Sequence, residues 1–204
     1  GTTTVAVFVE GQLVHADAIA LGGHHVTMDI ARGLSTRLAD AERIKTLYGS
    51  ALASAADDRD ILTVPPVSED DRDTPNHIPR AALTRIIRPR VEEILELVRD
   101  RLTASGFASL VGRRLVSTGG ASQLTRLSEV ARRIVARNVR LGRPLGIAGL
   151  PEAGKGPAFA TVVGLLIYPQ VAPIAYYESR RPRRLLTGTD GYFARVGQWI
   201  RDSF

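Results

Sequence analysis

The sequence has no cysteine. Disulfide staples and thiolate zinc sites are therefore excluded, and the composition suits a reducing compartment. No run approaches the roughly 18 consecutive apolar residues that a membrane-spanning helix needs. Histidine is scarce, at four residues. His24 and His25 are adjacent, so their side chains diverge on a helix or a strand, and no carboxylate stands at a supporting spacing. No metal site is expected. Gly-x-Ser-x-Gly, the Walker lysine motif and Gly-x-Gly-x-x-Gly are all missing. Gly154-Lys155-Gly156 lacks the Ser/Thr that follows the lysine of a phosphate loop, and no strand feeds into it. No signal peptide is expected: the strand-like Thr4–Val9 follows Gly1 almost at once, which suggests a chain cut inside a larger protein.

The 204 residues are 44% hydrophobic, enough for the core of one large domain or two small ones. Net charge is +6, but its distribution is more telling. Asp57 to Asp73 holds seven acids against two arginines, and Arg80 to Arg143 holds fourteen arginines against five acids. A smaller basic cluster lies at Arg180-Arg181-Pro182-Arg183-Arg184. An arginine-rich nucleic-acid-binding module is one reading of such a patch. The arginines, however, alternate with apolar residues at helical spacing and are not interleaved with exposed aromatics. A solvated helix face, or a docking surface for an acidic peptide, fits that pattern better.

Thr4–Val9 and Gln12–Leu21 read as strands joined by the turn Glu10-Gly11. Gly22-Gly23 breaks the pattern, and Thr27 is a candidate N-cap for a helix through Ile30 and Leu34. Ser35–Tyr48 places Leu38, Ala41, Ile44 and Leu47 on one stripe and ends at Gly49. The segment from Ser50 to Asn76 is polar and acidic, with one strand-like piece at Ile61–Val64. Ile78–Leu102 repeats apolar residues at the 3.6-residue period (Leu83, Ile86, Ile87, Val91, Ile94, Leu95, Val98, Leu102), with a kink or break expected at Pro89. A short strand is expected at Val139–Leu141 and a small-residue apolar helix over Ala158–Tyr168. From Pro169 the chain reads as a tether.

Three groups of residues carry chemistry. Leu115-Val116-Ser117-Thr118-Gly119-Gly120 is an apolar run ending in paired glycines, and an amphipathic segment, Leu124–Val135, follows. Glycines there let the backbone approach a ligand, and the helix directs unpaired N–H groups and its positive end to the same place. That is the physics of a nucleotide cradle, although an ordinary tight turn has the same sequence. Glu42 and Lys45 are three apart and share one side of a helix. They form either an exposed ion pair or a carboxylate for ribose hydroxyls beside a lysine stem lying along adenine. Finally, Phe193, Val196, Trp199, Ile200 and Phe204 line one face of the last fourteen residues, with arginines away from it. The segment reads as an interfacial membrane helix or as a terminal helix docked on the protein's own core. Burying those five side chains yields about 10 kcal/mol gross, and ordering the segment costs about 1 kcal/mol per residue. Firm attachment to lipid would therefore need many copies.

With these parts in place, the chain resembles the bacterial actin-like FtsA family over nearly its whole length. Gly1-Thr2-Thr3 resembles the end of the family's second phosphate motif, and Gly22–Ala31 its GG-x-x-V-T-x-D-I-A segment. Ala41–Gly49 resembles the family's A-E-x-I-K-x-x-Y-G helix, Thr118–Leu124 its adenosine motif, and Gly156–Leu166 the helix connecting its two halves. The closing amphipathic helix resembles the membrane-targeting sequence.

The resemblance implies an α/β fold: the second lobe of an actin-like (ribonuclease H-like) ATPase with an inserted subdomain and a C-terminal amphipathic helix. Residues 1–23 and 106–168 would form the nucleotide-binding lobe and 24–105 the inserted subdomain. Residues 169–190 would be the linker and 191–204 the membrane helix. It further implies an ATP-binding polymer-former at the septum, on the cytoplasmic face of the inner membrane, that ties the FtsZ ring to it. Gly1, Thr2 and Thr3 would face the phosphates, Glu42 and Lys45 the ribose and adenine, and Gly119 and Gly120 the base. Magnesium would be held through the absent first half, so that this piece alone binds ATP poorly and hydrolyses none. No catalytic residue is assigned. Arg80, Arg85, Arg88 and Arg90 would receive the acidic C-terminal peptide of FtsZ, and nucleic acid is not an expected partner. A sugar-kinase-like member of the same superfold is the alternative within this fold.

Overall fold

The computed structural model describes residues 1–67, 75–109, 114–136 and 138–171. Contacts divide the chain into the units Gly1–Ile167 and Tyr168–Phe204. Of the second, only residues 168–171, the end of one helix, lie among the described residues. The helix runs three residues past Tyr168, so the expected linker does not begin at Pro169. Its remainder and the membrane helix with Phe193, Val196, Trp199, Ile200 and Phe204 fall outside the described residues.

The chain opens with an antiparallel hairpin of β1 (Thr3–Val9) and β2 (Gln12–Ile19), with Val9 opposite Gln12. Its turn is the expected Glu10-Gly11, both at positive φ (51° and 83°). Such a turn matches the twist of the flanking strands. The alternation of β1 buries Val5 and Val7, while Phe8 and Leu13 pair across the exposed tip.

Helices α1 (Gly23–Gly33) and α2 (Leu38–Tyr48) follow. Thr27 is not the N-cap of α1; it lies a turn inside the helix, buried, and Gly22 caps it instead. Gly22 has no side chain to offer, so His25 supplies the link by accepting the Gly22 N–H on Nδ1 at 3.2 Å. Helix α2 starts three residues later than the periodicity predicts and buries only Ala41 and Ile44 of the stripe. Next come β3 (Ile61–Val64) and β4 (Asn76–Pro79), an antiparallel pair.

Helix α3 (Arg80–Ala104) is the backbone of this region. It begins two residues later than expected because Asn76–Pro79 pairs with β3. It also runs through Pro89 as one element. The carbonyl that loses its hydrogen bond to proline is that of Arg85, four residues back. Both residues are exposed, so water can take that bond.

Strands β5 (Arg114–Ser117) and β6 (Asn138–Leu141) are parallel and are bridged by α4 (Leu127–Ile134). The amphipathic segment does not become helical directly after the glycines. Gly120–Gln123 forms a 3₁₀ turn first, and Arg126, at φ 63°, precedes α4. Another 3₁₀ turn, Pro157–Phe159, leads into α5 (Ala160–Val171).

One apolar cluster unites most of these elements. It takes Val26 and Ile30 from α1, Ala41 and Ile44 from α2, and Leu62 and Val64 from β3. Leu83, Ile87, Val91 and Leu95 come from α3, Val130 and Ala131 from α4, and Val139 from β6. A smaller cluster, Val5, Ile19 and Val98, fixes the hairpin to the far end of α3.

Candidate functional site

The glycine pair Gly22-Gly23 lies against two other segments singled out in the sequence. A Cβ placed on Gly22 would lie 2.9 Å from the carbonyl oxygen of Thr2, and one on Gly23 would lie 2.7 Å from the Cβ of Ala121. Side chains at these positions would force the segments apart, so the glycines permit the start of the chain, the N-terminus of α1 and the 119–121 turn to converge. Lys45 joins them from α2, donating from Nζ to the Gly23 carbonyl at 3.2 Å.

Each wall has its own support. Thr3 Oγ1 donates to the carbonyl of Leu21 at 2.7 Å, closing the open end of the hairpin beside Gly22. Thr118 Oγ1 donates to the carbonyl of Gly142 at 3.0 Å, and the Gly119 N–H donates to that of Pro157 at 3.0 Å. Ser122 Oγ donates back to the Gly119 carbonyl at 2.6 Å. Gly119 itself sits at φ 92°, a conformation that side chains rarely adopt, and no atom would come within 4 Å of an added Cβ. The turn is thus anchored beneath and open above.

Glu42 and Lys45 are more than an exposed ion pair. Glu42 Oε2 receives hydrogen bonds from Lys45 Nζ at 2.7 Å and from Thr27 Oγ1 at 2.5 Å. Lys45 Nζ also donates to Thr27 Oγ1 at 2.7 Å. With the bond to Gly23, all three ammonium donors have acceptors. The lysine side chain is 13% exposed and that of Glu42 is 53% exposed. Partial burial pushes the Glu42 carboxyl up, but the hydrogen bonds from Lys45 and Thr27 and the lysine charge together hold it below its ordinary value.

The four arginines of α3 divide. Arg80 donates from Nε to the carbonyl of Tyr48 at 3.1 Å and lies 3.5 Å from Asp60. Arg90 reaches Asp29 with two nitrogens, at 2.6 and 3.2 Å, and Glu93 with Nη1 at 2.5 Å, tying α1 to α3. Those bonds to Asp29 raise its pKa further. Arg88 pairs with Glu92 one turn on, at 2.7 Å. Arg85 is exposed and has no ion pair among the described residues. Only Arg85 and Arg88 share an outward face. Among the described residues no group of three His, Asp or Glu side chains is placed to hold a metal ion.

Sequence reasoning missed Thr27, His25 and Ala121 as parts of this site. The signal for Thr27 was its spacing: four residues after Gly23 it faces the same side of the helix.

The profile of the family described as "Cell division protein FtsA" matches residues 1–164. A cell division protein FtsA of Rhizobium meliloti (strain 1021) is 62% identical over 204 residues, covering 100% of this chain and 46% of that protein. That of Escherichia coli (strain K12) is 33% identical over 211 residues, covering 100% of this chain and 49% of that protein. The chain thus spans about half the length of the curated relatives it matches. Among solved structures, MreB5 of Spiroplasma citri bound to ADP aligns with a TM-score of 0.61 at 15% identity, covering 83% of this chain and 50% of that one. The ethanolamine utilization protein EutJ of Carboxydothermus hydrogenoformans aligns with a TM-score of 0.53 at 18% identity, covering 82% and 46%. At such identities the likeness speaks for the fold, which is the expected α/β lobe of an actin-like ATPase.

Proposed function

The chain belongs to the FtsA family of cell-division proteins, and from that premise we propose that it supplies the second nucleotide-binding lobe of an ATP-binding polymer that fastens the FtsZ ring to the cytoplasmic face of the inner membrane at the septum. The observation that carries the nucleotide reading is the convergence of Thr2, Gly22, Gly23, Lys45 and Ala121. In this reading Gly1, Thr2 and Thr3 face the phosphates, Glu42 and Lys45 the ribose and adenine, and Gly119 and Gly120 the base. The open space above Gly119 and the glycine-permitted close approaches suit a flat base and a phosphate chain. ATP bound here would supply the charge and bulk that this chain's residues would bind and orient, and magnesium would be held through the part of the protein that this chain does not span.

The division of labour follows the family. In this reading residues 1–23 with 106–168 belong to the nucleotide lobe and 24–105 to the inserted subdomain, and the role of membrane attachment is assigned to 191–204, which lie outside the described residues. Among the described residues no helix is long and apolar enough to cross a membrane. Arg85 and Arg88 are the outward pair for the acidic peptide of FtsZ, with Arg80 and Arg90 fixing α3 on either side through their own carboxylates.

Calorimetry tests the first part. The chain alone binds ATP in the millimolar range or not at all, and the protein completed to the length of its relatives binds it tightly. Equal binding by both contradicts a cleft with two walls. For the partner site, Arg85→Glu with Arg88→Glu abolishes binding of an FtsZ C-terminal peptide, and unchanged binding refutes the assignment.

A further inference from the structure

Thr27 is 1% exposed and lies on α1, whereas Glu42 and Lys45 lie on α2. Burial of a threonine between two helices is ordinary; the connections of its hydroxyl are not. Threonine in a helix adopts a rotamer that turns Oγ1 back toward the carbonyl four residues earlier, here Gly23 at 3.2 Å. That orientation aims the hydroxyl at the glycine pair. Its single proton goes to the closer and charged acceptor, Glu42 Oε2 at 2.5 Å, and its lone pair accepts from Lys45 Nζ at 2.7 Å.

Two consequences follow. Oε2 of Glu42 is held by two donors from different helices, which fixes the plane of the carboxylate. Oε1 has no partner among the described residues, on a side chain that is 53% exposed. One oxygen is thus an anchor and the other an open acceptor beside the convergent turns.

We propose that Thr27 is a positioning residue: together with the Lys45 ammonium it pins Oε2 of Glu42, so that Oε1 is presented to the hydroxyls of a ribose. The inference rests on the nucleotide reading of the site. It assigns to α1, whose glycines approach the ligand, the further task of aiming a carboxylate on α2. Removing the hydroxyl frees the carboxylate to rotate, and the loss falls on ligands that carry ribose hydroxyls.

The test compares ADP with 2′,3′-dideoxy-ADP on the full-length protein, by calorimetry. The unaltered protein binds ADP about tenfold more tightly than the dideoxy compound, as expected for a hydrogen bond to a charged acceptor. Thr27→Val keeps the volume but not the hydroxyl, and loses this preference while binding dideoxy-ADP as before. Thr27→Ser restores the preference. If Thr27→Val does not fold, Thr27→Ser and Lys45→Met carry the test, the first keeping the preference and the second losing it. A preference that survives in Thr27→Val or Lys45→Met, equal weakening toward both nucleotides, or its loss in Thr27→Ser overturns the positioning role. Absence of any nucleotide binding by the unaltered protein overturns instead the reading of the site on which the role depends.

Discussion

Two helices of this chain, α3 and α5, are both rich in aliphatic residues, and they are packed in opposite ways. In α3 the aliphatic residues follow the helical period. Leu83 and Ile87 are 0% exposed, and Arg85, Arg88, Glu92 and Arg99 occupy the other face. In α5 they surround the axis. Val163 is buried at 5%, whereas Val162, Leu165 and Leu166 are 55%, 68% and 68% exposed. Helix α3 interleaves its aliphatic residues with charged ones while α5 carries no charge, and that pattern decides how much apolar surface one side of a helix can remove from water. Helix α3 is complete within the described residues. Helix α5 presents aliphatic surface that those residues leave open.

This contrast can be broken or sharpened by mutation. The largest effect belongs to Leu83→Ala, which empties a fully enclosed position and costs about 3 kcal/mol in urea unfolding. A loss under about 1 kcal/mol would mean that the α3 core is not close-packed. Gly23→Ala comes next, at about 1–2 kcal/mol, because its Cβ would meet that of Ala121 at 2.7 Å. The same change should weaken nucleotide binding by the full-length protein, and a neutral outcome in both assays would deny the close approach. Arg90→Gln removes the link from α3 to Asp29 of α1, along with the pair to Glu93 on α3 itself, and costs about 1 kcal/mol, whereas Arg85→Gln leaves the urea midpoint unchanged.

Acid should act on α3 and the elements packed around it and not directly on α5, which has no ionisable residue except Tyr168. Glu42 and Asp57 both have lowered carboxyl pKa values. For Asp57 the main cause is the backbone hydrogen bond from Ser54. The unfolded chain takes up these protons at about pH 4, before the folded one. Their stabilisation is therefore complete above that pH and declines as the pH falls toward the folded-state values. Melting temperature should drop between pH 6 and pH 3, and a constant value would contradict the hydrogen bonds described. Among the apolar positions the smallest effect is that of Leu165→Ala, within about 0.5 kcal/mol in this chain. A cost near that of Leu83→Ala would show α5 to be covered.

Local signals in the sequence read well where chemistry is local. Glu10-Gly11 marked the hairpin because few residue pairs tolerate two positive φ angles, and Ile61–Val64 and Val139–Leu141 were recognisable as strands. The errors came where a distant partner prevailed. Asn76–Pro79 looked like the approach to a helix, but pairing with β3 made it a strand. Thr27 has the chemistry of an N-cap, yet Gly22 with His25 took that place and the threonine turned inward to Glu42. The glycine pair at 119–120 was legible as a turn, and Glu42 with Lys45 as a pair. That both meet at Gly23 depends on contacts across about a hundred residues, which no spacing in the sequence encodes. Arg90 was indistinguishable from Arg85 until Asp29 appeared beside it.

The account stands on the convergence of α1's glycine start and the 119–121 turn as one nucleotide-binding surface. Amide hydrogen exchange of the full-length protein, with and without saturating ADP, tests it most directly. The prediction is simultaneous slowing of exchange in peptides covering 22–27 and 118–124. Slowing confined to one of the two segments, or in neither, would contradict it.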